Sequence, residues 1–252
     1  MHLGQYYRLW QLARLRLRSE EDYRAFQAYQ AELMLNYLRQ HNIEVKGKSL
    51  VDLGSGIAGY SQQFARHGAQ VISIDLTIPR QTLNFGLQPI CANALQVPLR
   101  NQSVDLIICA SLIEHLASPK KLILEIERAL KKGGYCYLSF PPFYSPLGGH
   151  EFAPYHYFGE KIALRLKKRR RVVPDWVREF YKVPLEPQSF ANLYPEWGLY
   201  RMTIYRARQL LAGTKLTQID LSTRYLPVSF VRWPLFGELL TWHVQFLLAR
   251  TD

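Results

Sequence analysis

The stretch Asp52-Leu53-Gly54-Ser55-Gly56-Ile57-Ala58-Gly59 sets an acid and three glycines between an apolar run, Ser49 to Leu53, and a helix-like run, Tyr60 to His67. Glycine permits a tight turn and lets backbone N–H groups approach a ligand, and a helix N-terminus behind the turn adds a positive end. The G-x-G-x-x-G spacing alone also describes a nicotinamide or flavin site, or a plain strand-to-helix turn. Three further residues choose among these. Asp52 lies just before Gly54, where a diphosphate would be repelled and a ligand bearing an ammonium and a sulfonium would be attracted. Asp75 closes the next apolar run, Val71 to Ile74, where a carboxylate can accept two ribose hydroxyls. Asn93 follows a third run, Pro89 to Cys91, and can hydrogen-bond an adenine edge.

The elements that must position these residues alternate. Ser19 followed by Glu20, Glu21 and Asp22 opens a helix running to His41. Short apolar strands then alternate with helices: Val104 to Cys109 is a fourth strand and Tyr135 to Phe140 a fifth. Ser118-Pro119 starts the helix between them, Leu122, Ile123, Ile126 and Leu130 recur at helical spacing, and Gly133-Gly134 is expected to end it. Continuous apolar strands alternating with helices predict a parallel sheet covered on both faces, with strand C-termini gathered on one edge. That edge would collect Asp52 to Gly59, Asp75, Asn93 and Glu114. After Phe140 the alternation stops. Residues 141–202 are rich in proline and aromatics and read as an inserted lid, followed by a helix over Thr203 to Leu211 and closing strands over Leu216 to Leu221 and Trp242 to Leu248. The organisation is one domain: N-terminal helices over 1–42, a cofactor core over 43–140, the lid, and closing elements over 203–252.

Val51-Asp52-Leu53-Gly54-Ser55-Gly56 resembles the first motif of class I S-adenosylmethionine-dependent methyltransferases, and Val71-Ile72-Ser73-Ile74-Asp75 their second. Ser103-Val104-Asp105-Leu106-Ile107 with Leu112-Ile113-Glu114-His115-Leu116 is similar to the fourth-strand region of the ubiquinone- and type 11-like branch. Ala129-Leu130-Lys131-Lys132-Gly133-Gly134 resembles that branch's turn into the fifth strand. The likeness covers residues 48–142 well and 203–249 loosely. It implies an α/β fold: a Rossmann-like seven-stranded, mostly parallel sheet with helices on both faces and an inserted lid after the fifth strand. It also implies S-adenosyl-L-methionine as cofactor, held by Asp52, Gly54, Gly56, Gly59, Asp75, Leu76, Asn93, Ala94 and Ala110. Two positions depart from the branch: Ala58 stands where it has a third glycine, with Gly59 next, and Asn93 stands where it has an acid.

Methyl transfer from a sulfonium is an in-line displacement in which the protein aligns the reactants and excludes water. A hydroxyl acceptor also gains from a base near neutral pKa. His150 is the first candidate, because it opens the segment after the fifth strand, with Glu151 or His156 to orient its ring; His115 beside Glu114 is the second. Their spacing is not H-E-x-x-H, so no metal site is read from the sequence. Ser139-Phe140-Pro141-Pro142-Phe143 only partly matches the motif of amine-methylating relatives, which favours an oxygen acceptor. The expectation is O-methylation of a small molecule or of a glycan or lipid precursor, with the lid aromatics Phe143, Tyr144, Phe152, Tyr155, Tyr157 and Phe158 enclosing it.

Charge and cysteines bear on partners. The chain has 252 residues and a formal net charge of +12, compatible with nucleic acid, an anionic membrane face or acidic substrates. Six of the seven residues from Arg165 to Arg171 are cationic and suit a peripheral anionic contact. An RNA methyltransferase using this run is the alternative, lowered by the lack of a recognised RNA-binding module. A non-catalytic cofactor-binding scaffold is the other, opposed by the presence together of Asp52, Gly54, Gly56 and Asp75. The N-terminal stretch, with Arg8, Arg14, Arg16 and Arg18 among Tyr7, Leu9, Trp10 and Leu12, reads as a transit-like or interfacial amphipathic helix or, as such segments more often are, a terminal helix packed on its own domain. Cys91, Cys109 and Cys136 read as buried reduced thiols in a cytoplasmic protein.

Overall fold

The structure is a computed structural model that describes residues 3–78, 86–168, 174–181, 189–193, 197–233 and 236–252. Seven strands form one sheet: β1 (Ser49–Leu53), β2 (Gln70–Asp75), β3 (Gln88–Cys91), β4 (Val104–Ala110), β5 (Leu130–Phe140), β6 (Leu216–Thr223) and β7 (Val244–Arg250). Their order is β3-β2-β1-β4-β5-β7-β6. β3, β2, β1, β4 and β5 pair in parallel, and β7 runs antiparallel to both β5 and β6. The sequence order reverses beside β1 and β4, the crevice where an open α/β sheet receives its ligand. Because β7 alone is reversed, its start lies on the same edge as the ends of the other six strands.

Eight helices flank the sheet among the described residues: α1 (Leu3–Leu15), α2 (Glu20–Gln40), α3 (Gly59–Arg66), α4 (Pro119–Ala129), α5 (Glu160–Lys168), α6 (Asp175–Tyr181), α7 (Ile204–Leu211) and α8 (Gly237–Leu240). Alternate strand residues serve opposite faces, as the two-residue strand period requires. Leu50, Leu106, Ile108 and Tyr137 meet Ala31, Met34, Leu35 and Leu38 of α2 and Phe64 of α3. Val51, Leu53, Ile107, Cys109 and Leu138 meet Leu122, Ile123 and Ile126 of α4 and Ile204 and Ala207 of α7. Burying each such large apolar side chain stabilises the fold by roughly 1.5–3 kcal/mol. Ser19 caps α2 by accepting the Asp22 N–H at 3.1 Å, as its sequence signals.

Four expectations need correction or refinement. α4 ends at Ala129, and Gly133-Gly134 lie in an irregular stretch of β5, where the register with β4 slips between Val104 and Leu106. Gly133 has φ +71°, and a Cβ on Gly134 would lie 3.0 Å from the Asp105 carbonyl oxygen, so the pair serves a tight crossing and not a helix cap. Cys91 is exposed because β3 is the edge strand; Cys109 and Cys136 are buried. α1 packs on α2 as a terminal helix, but along one side only: Gln5, Tyr6, Leu9 and Leu12 are half-buried, the Tyr29 hydroxyl donates to the Gln5 carbonyl at 3.0 Å, and Leu3, Tyr7 and Trp10 face out. The closing strands run on to Thr223 and Arg250.

The segment after β5 builds its own small core from Phe143, Phe152, Ala163, Phe190, Leu193 and Leu199. It is tied to the main domain where the Phe143 N–H donates to the Met202 carbonyl at 2.7 Å. No helix among the described residues is long and apolar enough to cross a membrane.

Candidate active site

β1 delivers the chain into the glycine turn with Gly54 at φ +79° and Gly56 at φ +52°. A Cβ on Gly54 would meet the Leu112 side chain at 3.0 Å, so glycine here allows the turn after β4 to close against the loop. The Gly54 and Ser55 N–H groups donate to the Ile74 carbonyl, and the Gly56 N–H donates to Asp75 Oδ2 at 2.8 Å. Asp75 Oδ1 also accepts the Thr77 N–H at 3.2 Å. Burial raises the Asp75 pKa even against these bonds, so further donors would be welcome at its carboxylate. Ser55 Oγ is buried without a partner at the same turn.

Asp52 is buried beneath this loop and accepts the Ser61 hydroxyl at 2.5 Å; Ser73 in turn donates to Ser61 at 2.8 Å. Desolvation lifts its pKa to about 7, with the Ser61 bond pulling the other way. The displaced glycine now has a physical reason. Ala58 takes the left-handed conformation at φ +63°, and Gly59 opens α3 where α2 crosses it. A Cβ on Gly59 would lie 2.6 Å from Gln27, and its N–H is taken by Gln27 Oε1 at 3.1 Å. Gly59 thus serves helix packing, a different task from the cofactor contact expected of it.

Beyond β4 the chain turns through Ser111 at φ +55° into a single short turn, Ile113–His115. The segment 198–200 clamps this turn from outside: the Gly198 N–H donates to the His115 carbonyl at 3.2 Å and the Tyr200 N–H to the Glu114 carbonyl at 2.8 Å. His115 and His150 meet with ring centroids 4.8 Å apart, and Trp197 lies 4.6 Å from His115 on another side. Glu114 Oε1 is 3.9 Å from His115 Nε2 and 3.7 Å from His150 Nε2. Both Glu114 oxygens are buried without a hydrogen-bond donor from another residue; only the Glu114 backbone N–H approaches them. Burial pushes the Glu114 pKa up to about 8 and that of His115 down to about 4, the latter against its bond to Gly198. Burial and the neighbouring His115 hold His150 below the ordinary imidazole range, although its ring edge reaches the surface.

The sequence candidates Glu114, His115 and His150 therefore share one cluster, and the carboxylate facing His150 Nε2 is that of Glu114. His156 stands behind the cluster, packed on Gly149 and buried against Phe143 and Tyr157. Asn93 is exposed, its Oδ1 already accepting the Leu95 N–H at 2.8 Å. Leu76 is 37% exposed just past Asp75, while Ala94 is buried in the turn after β3 and Ala110 at the end of β4. Of the basic run, Arg165 to Lys168 fall in α5, and residues 169–171 lie outside the described residues.

Two residues on this edge escaped the sequence reading. Arg224 directly follows β6, which runs parallel to β5, and His243 precedes the reversed β7, so both lie on the ligand edge. The Arg224 N–H donates to the His243 carbonyl at 2.9 Å, and His243 Nε2 lies 3.2 Å from Ser111 Oγ. The Arg224 guanidinium is buried 5.1 Å from the Tyr225 ring centre and 5.7 Å from that of Tyr60, whose hydroxyl is a polar neighbour, and no carboxylate among the described residues pairs with it. A cation directly after a parallel strand is a signal the sequence did hold; its place on this edge required the full strand order.

Comparison with known proteins agrees with this geometry. A family model described as a methyltransferase domain matches residues 51–138. An uncharacterized methyltransferase of Mycobacteroides abscessus is 30% identical over 198 residues, covering 68% of this chain and 75% of the relative. In fold, the chain is similar to an S-adenosylmethionine-dependent methyltransferase of Mesorhizobium loti, with a TM-score of 0.56, 17% identity, and 86% and 98% of the two chains covered. It is also similar to one of Clostridium acetobutylicum, with a TM-score of 0.57, 12% identity, and 88% and 91% covered. With the strand order, the glycine turn and Asp75 in place, the chain belongs to the class I S-adenosylmethionine-dependent methyltransferases, in the type 11 branch.

Proposed function

We propose that this methyltransferase modifies a hydroxyl oxygen on an amphiphilic acceptor, a hydrophobic small molecule or a glycan or lipid precursor. The observation that carries the reading is the Glu114–His115–His150 cluster, set one short turn beyond Leu112, which itself lies against Gly54 of the cofactor loop. The chain fits the cofactor. The Asp75 carboxylate lies beside the Gly54–Gly56 turn to accept ribose hydroxyls, the orphaned Ser55 hydroxyl stands at the same turn, and buried Asp52 supplies negative charge for an ammonium. Leu76, Ala94 and Ala110 would wall the adenosine. When bound, S-adenosylmethionine supplies an electrophilic methyl group.

The chain's own residues then hold the acceptor and ease the loss of its proton. With Glu114 protonated and both imidazoles neutral near pH 7, the cluster carries no net charge and has two nitrogen lone pairs to offer. An amine acceptor, which carries its own lone pair once neutral, would need no such group. Arg224 offers a cation to an anionic group of either ligand. Exposed Tyr144, Leu147, Tyr157, Phe158 and Ile162 support an apolar acceptor, and exposed Trp242 adjoins them, since Ser145 Oγ donates to the Trp242 carbonyl at 3.3 Å. The same apolar face and the basic residues of α5 support peripheral contact with an anionic membrane.

The test is methyl transfer from labelled S-adenosylmethionine to pools of lipid-linked glycan, quinone precursor and RNA, followed by identification of the methylated atom. Label appearing as a methyl ether in the lipid-linked or small-molecule pool is the expected result. Label found only in RNA, or only on nitrogen, contradicts the reading.

A further inference from the structure

We propose that Glu114, His115 and His150 form a divalent-cation site that binds the acceptor oxygen beside the cofactor pocket. The inference rests on the hydroxyl-acceptor reading above and gives its cluster a specific chemistry.

One ligand-type atom from each residue lies within 4.8 Å of the other two. Donor atoms around a first-row cation, with bonds of about 2.0–2.2 Å, stand roughly 3–3.5 Å apart. The separations from Glu114 Oε1, 3.7 and 3.9 Å, exceed that by a few tenths of an ångström, and the histidine nitrogens lie within 4.8 Å of each other, so an ion would draw the two imidazoles together. The carboxylate itself points to a ligand. It is 2% exposed, and neither oxygen receives a hydrogen bond from any other residue; only its own backbone N–H approaches it. A buried polar group left unpaired costs about 1–3 kcal/mol. A cation bound between the two imidazoles would remove that cost.

The imidazoles are prepared for the same task. His115 Nδ1 lies 2.7 Å from the Gly198 carbonyl oxygen, so Nδ1 carries the proton and Nε2 presents its lone pair toward Glu114. A carbonyl on the far nitrogen is the usual device that fixes a metal-binding histidine in its tautomer. Segment 198–200 also holds the backbone of residues 114 and 115, so two of the three donors are rigidly placed. His150 sits at φ +48°, a conformation that non-glycine residues avoid. That unusual backbone brings Nε2 over Glu114 while 31% of the side chain stays exposed, which leaves a route for the ion.

Three protein donors leave positions open for substrate, as in catalytic and not structural metal sites. Two imidazoles and one carboxylate suit a first-row transition cation better than magnesium or calcium. An acceptor hydroxyl bound at an open position becomes more acidic. Its O–H bond breaks and the proton passes to solvent. The oxygen pair then forms the new O–C bond as the C–S bond of the sulfonium breaks and its electron pair goes to sulfur. The products are a methyl ether, the neutral thioether and one proton.

The test is calorimetric titration of chelator-treated full-length protein with ZnCl2 and with MnCl2. One cation per chain is expected. Glu114→Gln and His150→Ala should each weaken it by roughly 10- to 100-fold or more. S-adenosylhomocysteine affinity should stay within about threefold, because these residues lie outside the cofactor loop. His67→Ala, which removes the surface His67–Glu32 pair at 2.8 Å, should leave cation binding unchanged. Because the variants could fail to fold, Co2+ added to the wild type provides a second readout: visible ligand-field bands that vanish with chelator. Absence of one-to-one binding by both cations, binding unaltered in folded Glu114→Gln and His150→Ala, or no cobalt bands would overturn the site. Full-rate O-methylation in chelator would also overturn it while leaving the hydroxyl reading intact. Cation binding as expected with the methyl group found on nitrogen would overturn the hydroxyl reading and leave the site standing.

Discussion

Replacing Asp75 with alanine removes two things at once. The cofactor's ribose loses its carboxylate acceptor, and Gly56 loses the partner of its N–H at 2.8 Å. The Thr77 N–H at 3.2 Å is also released, but it lies nearer solvent. Hydrogen bonds to charged groups contribute about 1.5–3 kcal/mol each, and part of that returns through water. A net loss of roughly 2–4 kcal/mol in binding follows, a rise in Kd of about 30- to 700-fold for S-adenosylhomocysteine. Asp75→Asn keeps one acceptor oxygen for Gly56 and should lose about 1–2 kcal/mol. Isothermal titration of wild type and both variants measures this, with thermal melts of the ligand-free proteins as a control on folding. The melts should move little, because burial already penalises the charged carboxylate in the free protein. A Kd for Asp75→Ala within threefold of wild type would refute the assignment. So would equal losses for alanine and asparagine accompanied by a large drop in melting temperature.

Three further outcomes are expected. Asp52 has a folded pKa of about 7 against about 3.9 unfolded, so its contribution to stability is complete below pH 4 and is lost as pH rises through 7. Asp52→Asn should therefore melt higher than wild type at pH 8 and show a flatter slope between about pH 4.5 and 7, the interval between the two pKa values; parallel curves over that interval would contradict this. Arg224→Met removes a buried cation that lacks a carboxylate partner and should raise the stability of the free protein by roughly 1–3 kcal/mol while weakening turnover or ligand affinity; a destabilised variant with normal kinetics would show that the guanidinium serves the fold. Sedimentation with anionic vesicles should fall as salt rises, and neutralising Arg165 and Lys167 should reduce it; binding indifferent to salt and to anionic lipid would exclude the electrostatic contact.

The first five strands and the glycine turn were legible because each is a local pattern: an apolar run, a turn residue, an acid at its end. The exceptions were positions where a distant element decides. Gly59 is glycine because Gln27 of α2 presses on it, and no local rule contains that contact. Gly133-Gly134 looked like a helix stop, yet α4 had already ended at Ala129, since β5 must reach back to pair with Val104. Glu114, His115 and His150 were each singled out by residue type, but their union depends on the left-handed backbone of His150 and the clamp of residues 198–200. Cys91 was misplaced because its run is apolar while its strand is an edge. Arg224 reaches the site because β6 runs parallel to β5, and His243 because β7 is reversed, which only the full strand order reveals.

The most direct test of the account is incubation of the purified protein with S-adenosylmethionine carrying a 13C methyl group and the acceptor pools, read by nuclear magnetic resonance. The account predicts a new methoxy carbon signal together with S-adenosylhomocysteine in equal amount, both abolished by Asp75→Ala. No transfer and no binding of S-adenosylhomocysteine, alongside tight binding of a nicotinamide cofactor, would contradict it.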